Sequence, residues 1–288
     1  MTEYERWLSV ELDDPDLKEE LLSVKDQPEE INDRFYRDLA FGTGGLRGVI
    51  GAGTNRMNVY TVRKATQGLA NYLNKHNTEG KPLSVAIAHD SRNKGVLFSK
   101  ESAAVLAANG IKAYLYPQLM PTPALSFAVR HLHCDAGICV TASHNPAIYN
   151  GIKVFTEGGR DASAQQTDEI EKYIARIEHE EVKSMEYDKA LEAGLIQEIY
   201  PLNEYLDNII DNIDMQAIRN SRLKIAVPSI SSTKSRCRPK VMKSSPCIQP
   251  SGKGLLRNRS VHCCMAISPW RLVGRGGNSW RKAGTNIP

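Results

Sequence analysis

A chain of 288 residues is long enough for one or two cored domains, and 41% hydrophobic with 24% charged residues is ordinary for a globular protein. No run of about 18 apolar residues is present, and Met1-Thr-Glu-Tyr-Glu-Arg6 lacks a signal-peptide core, so neither a membrane span nor secretion is expected and the cytoplasm is the default location. The net charge of +4 conceals a split: residues 228–288 hold 12 of the 37 Lys and Arg and no Asp or Glu, which leaves 25 basic residues against 33 acidic ones before Pro228. A 61-residue stretch without an acid arises by chance less than about once in a thousand.

The chain opens with helical spacing over residues 3–40. Tyr4, Leu8 and Leu12 repeat at four-residue steps, Asp14-Pro15 suits the start of a second helix, and Ile31, Phe35 and Leu39 mark a third. Residues 42–53 carry six glycines and read as a loop. A helix follows over Val62–Tyr72. Leu83–Ala88 reads as a buried strand, Ser99–Asn109 as an Ala-rich helix closed by Gly110, and Ile111–Tyr116 as the next strand. Pro123–His131 is a helix and Ala136–Val140 a third strand, and Ile152–Phe155 forms an apolar run around Lys153. Asp168–Glu180 and Leu202–Ile218 have helical periodicity, and Leu223–Val227 begins another strand. Strands alternating with helices of about ten residues predict a mostly parallel, helix-covered sheet, an α/β fold. No internal repeat is visible.

The chemistry concentrates in Thr141-Ala-Ser143-His144-Asn145-Pro146, where a strand end meets a proline that cannot continue the ladder. Strand ends are where α/β folds bind ligands. Ser143 offers a nucleophilic oxygen or a turn hydroxyl. His144 can orient a phosphate or move a proton, or be a surface histidine. Lys153 can face an anion in a cleft or simply face solvent. Arg47 lies among glycines whose backbone amides can approach an anion, and its guanidinium can fork onto phosphate. The Walker spacing is missing, and Arg47 stands where the third glycine of Gly-x-Gly-x-x-Gly belongs, so nucleotide binding is rejected. Asp90-Ser91-Arg92 either lines a cleft or makes a charged turn. His131, His133 and Cys134 invite a metal reading but have no second ligand cluster, and a helix end accounts for them equally.

Two segments resemble one family. Thr141-Ala-Ser-His-Asn-Pro146 is similar to the active-site loop of the α-D-phosphohexomutases, and Phe41-Gly-Thr-Gly-Gly-Leu-Arg-Gly48 resembles their N-terminal Gly-Thr-x-Gly-x-Arg segment, in matching order and separation. The resemblance implies a three-layer α/β/α domain with a mixed, mostly parallel sheet over residues 41–200. It also implies a helical extension over 1–40 and the start of a second similar domain over 201–227; the composition of 228–288 adds an irregular basic tail. It implies an isomerase that interconverts sugar 1-phosphate and 6-phosphate, or pentose 1- and 5-phosphate, through a phosphoserine and a glucose 1,6-bisphosphate-type intermediate.

By the same resemblance Ser143 is the phosphoserine and, once phosphorylated, a ligand of Mg²⁺. Arg47, His144 and Lys153 are catalytic, and Thr43, Gly44, Arg47 and Asn145 bind phosphate. The expected partner is a small sugar phosphate, with no nucleic acid and no membrane. The family's Asp-x-Asp-x-Asp-Arg metal loop has no counterpart in the sequence, so this 288-residue chain is expected to be nearly inactive, or to act as a non-catalytic sugar-phosphate-binding module. Residues 228–288 read as a frameshifted segment, with a nucleic-acid arm or a cysteine metal site as alternatives.

Overall fold

The computed structural model describes residues 2–42, 45–177 and 181–221. The chain divides into two units, Met1–Met215 and Gln216–Pro288, and of the second only 216–221 are described. The expected strand at 223–227 and the expected tail at 228–288 lie outside the described residues.

Three short helices open the first unit: α1 (Glu3–Ser9), α2 (Pro15–Ser23) and α3 (Pro28–Phe35). Thr2 and Glu5 form a reciprocal capping box for α1, and the Asp14 side chain caps α2 ahead of Pro15. Helix α1 ends at Ser9 rather than Leu12, because Val10 turns extended. Leu39 lies beyond α3, where its amide donates to the Thr54 carbonyl. Trp7 is buried, edge-on to Phe35 and Tyr60, so this opening segment joins the main core.

Part of the segment expected as a loop over 42–53 is sheet, while residues 51–53 bend as expected. Strands β1 (Phe41–Gly42) and β2 (Gly45–Val49) pair antiparallel. Leu46 is buried, and a Cβ on Gly45 would come within 1.9 Å of the Ile152 carbonyl. The glycines therefore serve close strand approach. Next come α4 (Val59–His76), β3 (Ser84–His89), α5 (Gly95–Ala108), β4 (Lys112–Leu115), α6 (Thr122–His131), β5 (Ala136–Val140) and β6 (Tyr149–Thr156). Asn58 caps α4 with a capping box, and Gly110 closes α5 at φ 75°, as its position after the Ala-rich run requires.

Helix α7 (Ala164–Ile174) starts four residues earlier than its apolar spacing suggested, because Ser163 and Gln166 form a capping box; Ile170 and Ile177 are buried. Helix α8 (Tyr187–Glu192) and strand β7 (Ile196–Glu198) went unread in the sequence, and both are short. The single helix expected over Leu202–Ile218 is two, α9 (Leu202–Asp211) and α10 (Met215–Asn220). The Asn212 side chain donates to the Asn208 carbonyl at the break, which is how Asn ends helices. Apart from the partly buried Tyr205 their large apolar residues are exposed, Ile210 and Ile218 each by about half, so little packing enforces one long helix.

The sheet order is β1-β2-β6-β5-β3-β4-β7. Strands β5, β3, β4 and β7 are parallel, β6 runs against β5, β2 against β6 and β1 against β2, so five of seven strands share one direction. Helices α4, α5 and α7 cover one face over a cluster that includes Leu69, Val85, Ile87, Leu106, Ile138 and Ile170. Helix α6 covers the other over Ala88, Tyr116, Leu125, Val129 and Phe155. This is the expected three-layer α/β/α arrangement.

Candidate active site

The serine loop begins where β5 leaves the sheet. Gly151 faces it across the ladder, and a Cβ there would sit 2.5 Å from the Leu46 carbonyl and 2.8 Å from that of Thr141, so only glycine lets the three strands close around the loop. Ser143 takes a left-handed backbone, φ 55°, and its amide donates to the Thr141 hydroxyl at 3.0 Å. That hydroxyl donates to Asp90 at 2.5 Å. Ser143 Oγ lies 3.3 Å from His144 Nδ1. The hydroxyl and the imidazole are thus in contact, with the oxygen at the exposed rim.

Arg47 reaches the same loop from β2, a strand 98 residues earlier. Its guanidinium donates to Asn145 Oδ1 at 3.1 Å. Lys153 sits in β6 opposite Gly45 and Cys139, which puts it on the same sheet face as Arg47 two pairs along the β2–β6 ladder. Its amine pairs with Asp161 at 3.0 Å. Arg47 therefore contacts the loop that carries Ser143 and His144, through Asn145 two residues past the serine, and Lys153 lies on the same sheet face tied to an acid. Thr43 and Gly44 lie outside the described residues.

Behind the loop, Cys139 is buried and its thiol is pushed up to about 12 by loss of solvent, so the nucleophile within reach of solvent is the serine. His89 is buried beneath Asp90 with neither ring nitrogen hydrogen-bonded, and burial lowers its pKa. Sequence reasoning left Arg92 undecided between cleft and turn. Its guanidinium donates to the carbonyls of Ser143, Asn145, Pro146 and Tyr149 at 2.7–3.0 Å. The His131, His133 and Cys134 group belongs to the end of α6: His131 stacks on Phe127, His133 turns left-handed at φ 53°, and Cys134 is buried. Among the described residues no three His, Cys, Asp or Glu gather to hold a metal.

The sequence profile described as phosphoglucomutase/phosphomannomutase, alpha/beta/alpha domain I, matches residues 38–181, half of the chain and all of this site. The chain belongs to the phosphoglucomutase/phosphomannomutase family. A phosphoglucomutase of this family from Staphylococcus saprophyticus is 48% identical over 150 residues, which are 52% of this chain and 27% of that protein. A Schizosaccharomyces pombe protein described as a phosphoribomutase is 40% identical over 157 residues, 54% of this chain and 27% of its own length. A crystal structure from Thermus thermophilus, described as a phosphomannomutase, superposes with a TM-score of 0.54 at 27% identity and covers 63% of this chain and 38% of that one. The chain thus spans about a quarter to two fifths of the length of these relatives.

The resemblance to this family implies Mg²⁺, and the residues around Ser143 do not fit it unaided. The carboxylate closest in the hydrogen-bond network, Asp90, already accepts from Thr141 and from the Arg92 amide and faces the Arg92 guanidinium at 3.7 Å. A phosphate on Ser143 would offer one ligand, against the six oxygens that Mg²⁺ demands. Among the described residues, no helix is long and apolar enough to cross a membrane.

Proposed function

We propose that this chain carries the phosphoserine domain of a phosphohexomutase, with Ser143 Oγ as the phosphoryl carrier. The observation that supports the reading is the hydrogen bond from Arg47 to Asn145, which joins the two family-like motifs two residues from the exposed Ser143 hydroxyl. Phosphoryl transfer needs a placed nucleophile and positive charge around the phosphate oxygens. Arg47 supplies charge, His144 touches the oxygen, and Lys153 lies on the same face. Thr43, Gly44 and Asn145 complete the phosphate contacts in this reading.

The phosphoryl group on Ser143 passes to a free hydroxyl of a bound sugar monophosphate. The P–O bond to the serine breaks, a P–O bond to the sugar forms, and the hydroxyl proton goes to Lys153 or His144 acting as base. The bisphosphate turns over in the cleft, returns its other phosphoryl group to Ser143 Oγ, and the proton goes back to the freed hydroxyl. A hexose 1- and 6-phosphate pair or a pentose 1- and 5-phosphate pair both satisfy this scheme, in keeping with the glucose and ribose names of the relatives.

Mg²⁺ supplies charge compensation in such transfers, worth several kcal/mol. Because the described residues provide so few ligands for it, the 288-residue polypeptide is proposed to bind sugar phosphate and to turn it over slowly at most. Calorimetry with glucose 1-phosphate, alongside a coupled mutase assay, tests this. Measurable affinity is expected, weakened about 10- to 100-fold in Arg47→Ala, the range for loss of a charge-assisted phosphate contact. Turnover is expected far below that of a full-length relative. Turnover equal to such a relative would overturn the slow-enzyme half, and no affinity at all would overturn the binding half. Affinity with no detectable turnover is the non-catalytic module, which the scarcity of metal carboxylates among the described residues favours as the second reading.

A further inference from the structure

Asp90 and Arg92 follow β3 directly and are not themselves within reach of the Ser143 hydroxyl through any hydrogen bond. Yet Asp90 braces the start of the serine loop, and Arg92 holds the carbonyls of three of its residues and of Tyr149 just beyond it. The Asp90 amide donates to the Val140 carbonyl, and its carboxylate accepts from the Thr141 hydroxyl, which in turn accepts from the Ser143 amide. Arg92 takes over from there. One terminal nitrogen donates to the carbonyls of Ser143 at 2.8 Å and Asn145 at 2.7 Å, the other to Pro146 at 3.0 Å and Tyr149 at 2.9 Å. The Arg92 side chain is 11% exposed. Its own amide bonds Asp90 Oδ1, and its guanidinium faces the other Asp90 oxygen at 3.7 Å.

Ser143 needs such a grip. Its φ of 55° is a conformation that residues with a Cβ adopt only where their surroundings over-determine it. Two of the four carbonyls that Arg92 holds are those of Ser143 itself and of Asn145, the residue that Arg47 contacts.

We infer that Arg92, braced by Asp90, is a positioning residue that holds Ser143 in its left-handed conformation and so aims its hydroxyl at the rim beside His144 and Arg47. The planar guanidinium is what does this. Two nitrogens at a fixed angle serve four carbonyls at once, which the single ammonium of a lysine cannot do. The inference rests on the reading of Ser143 as the reacting oxygen for its meaning, but its physical content is independent of that reading.

The test uses the full chain and the variants Arg92→Lys and Arg92→Ala. Amide hydrogen exchange at Ser143, Asn145 and Tyr149, whose N–H groups bond inside the loop, is expected to quicken at least tenfold in Arg92→Lys while β3 and β5 keep their protection. A thermal cycle with Ser143→Gly gives the second readout. Glycine accepts φ 55° without strain, and its unfolded-state cost is the same in both backgrounds and cancels. Ser143→Gly is therefore expected to be more favourable by about 2 °C or more in melting temperature when Arg92 is present than in an Arg92 variant that folds. Unchanged exchange in the loop, exchange raised equally across the sheet, or the same Ser143→Gly shift with and without Arg92 would each overturn the inference. Phosphoryl uptake by the wild-type chain reads the phosphoserine proposal separately: its failure removes that proposal and leaves the positioning result standing.

Discussion

Ser143, Lys94 and His133 are the non-glycine residues with positive φ among the described residues, and each sits where a chain segment must change course. Lys94 precedes α5 and pairs with Asp14 and Asp16, His133 ends α6, and Ser143 opens the candidate site. Beneath that site His89 has a directional consequence for pH. Its folded pKa is lowered from the ordinary value of 6.5 by burial, so the unfolded chain takes up the proton first. Any stability owed to the neutral imidazole is intact above the unfolded value and drains away as pH falls from there toward the folded value. Melting temperature should therefore drop below about pH 6.5, and His89→Gln should flatten that limb. Melts between about pH 5 and 8 check it, and equal slopes for wild type and variant would count against the buried histidine. The residues of this site were unevenly legible. Thr141–Pro146 announced itself by a strand-ending proline and a dense run of polar groups. Arg92 did not, because its partners lie 51–57 residues ahead and no spacing rule reaches that far.

At the scale of elements, the alternating core was readable because β3 and β5 are buried apolar runs, β4 buries every second residue and α5 is Ala-rich with a glycine stop. The β1–β2 hairpin was hidden by its glycines, which look like flexibility in a sequence and act as clearance in the sheet. Strand β7 has three residues, too few for any periodicity, and exists because it pairs with β4. Gly151→Ala tests the clearance argument. Its Cβ would meet two backbone carbonyls, which cannot swing aside as a side chain can, so a loss of about 3 kcal/mol or more is expected in urea unfolding. Gly158→Ala, with nothing within 4 Å of the new Cβ, should stay within about 0.5 kcal/mol. Equal effects would mean that the ladder around the serine loop is looser than these distances.

For the whole molecule, the two apolar clusters among the described residues are drawn from residues up to Ile199 and the partly buried Tyr205, and so lie inside the Met1–Met215 unit. Stability follows buried apolar area, so a chain ending at Met215 should fold by itself and melt cooperatively. Differential scanning of that chain checks this, and the absence of a cooperative transition would contradict it. The basic run over 228–288 was conspicuous in composition alone, yet composition states a charge and not a fold.

The central claim is that the Ser143 hydroxyl carries a phosphoryl group. Intact-mass and peptide-mapping analysis of the chain after prolonged incubation with glucose 1,6-bisphosphate tests it most directly. One phosphoryl group on Ser143, and none on Ser143→Ala treated alike, is the predicted result. A wild-type chain that stays unmodified, or a phosphate that persists in Ser143→Ala, would contradict it.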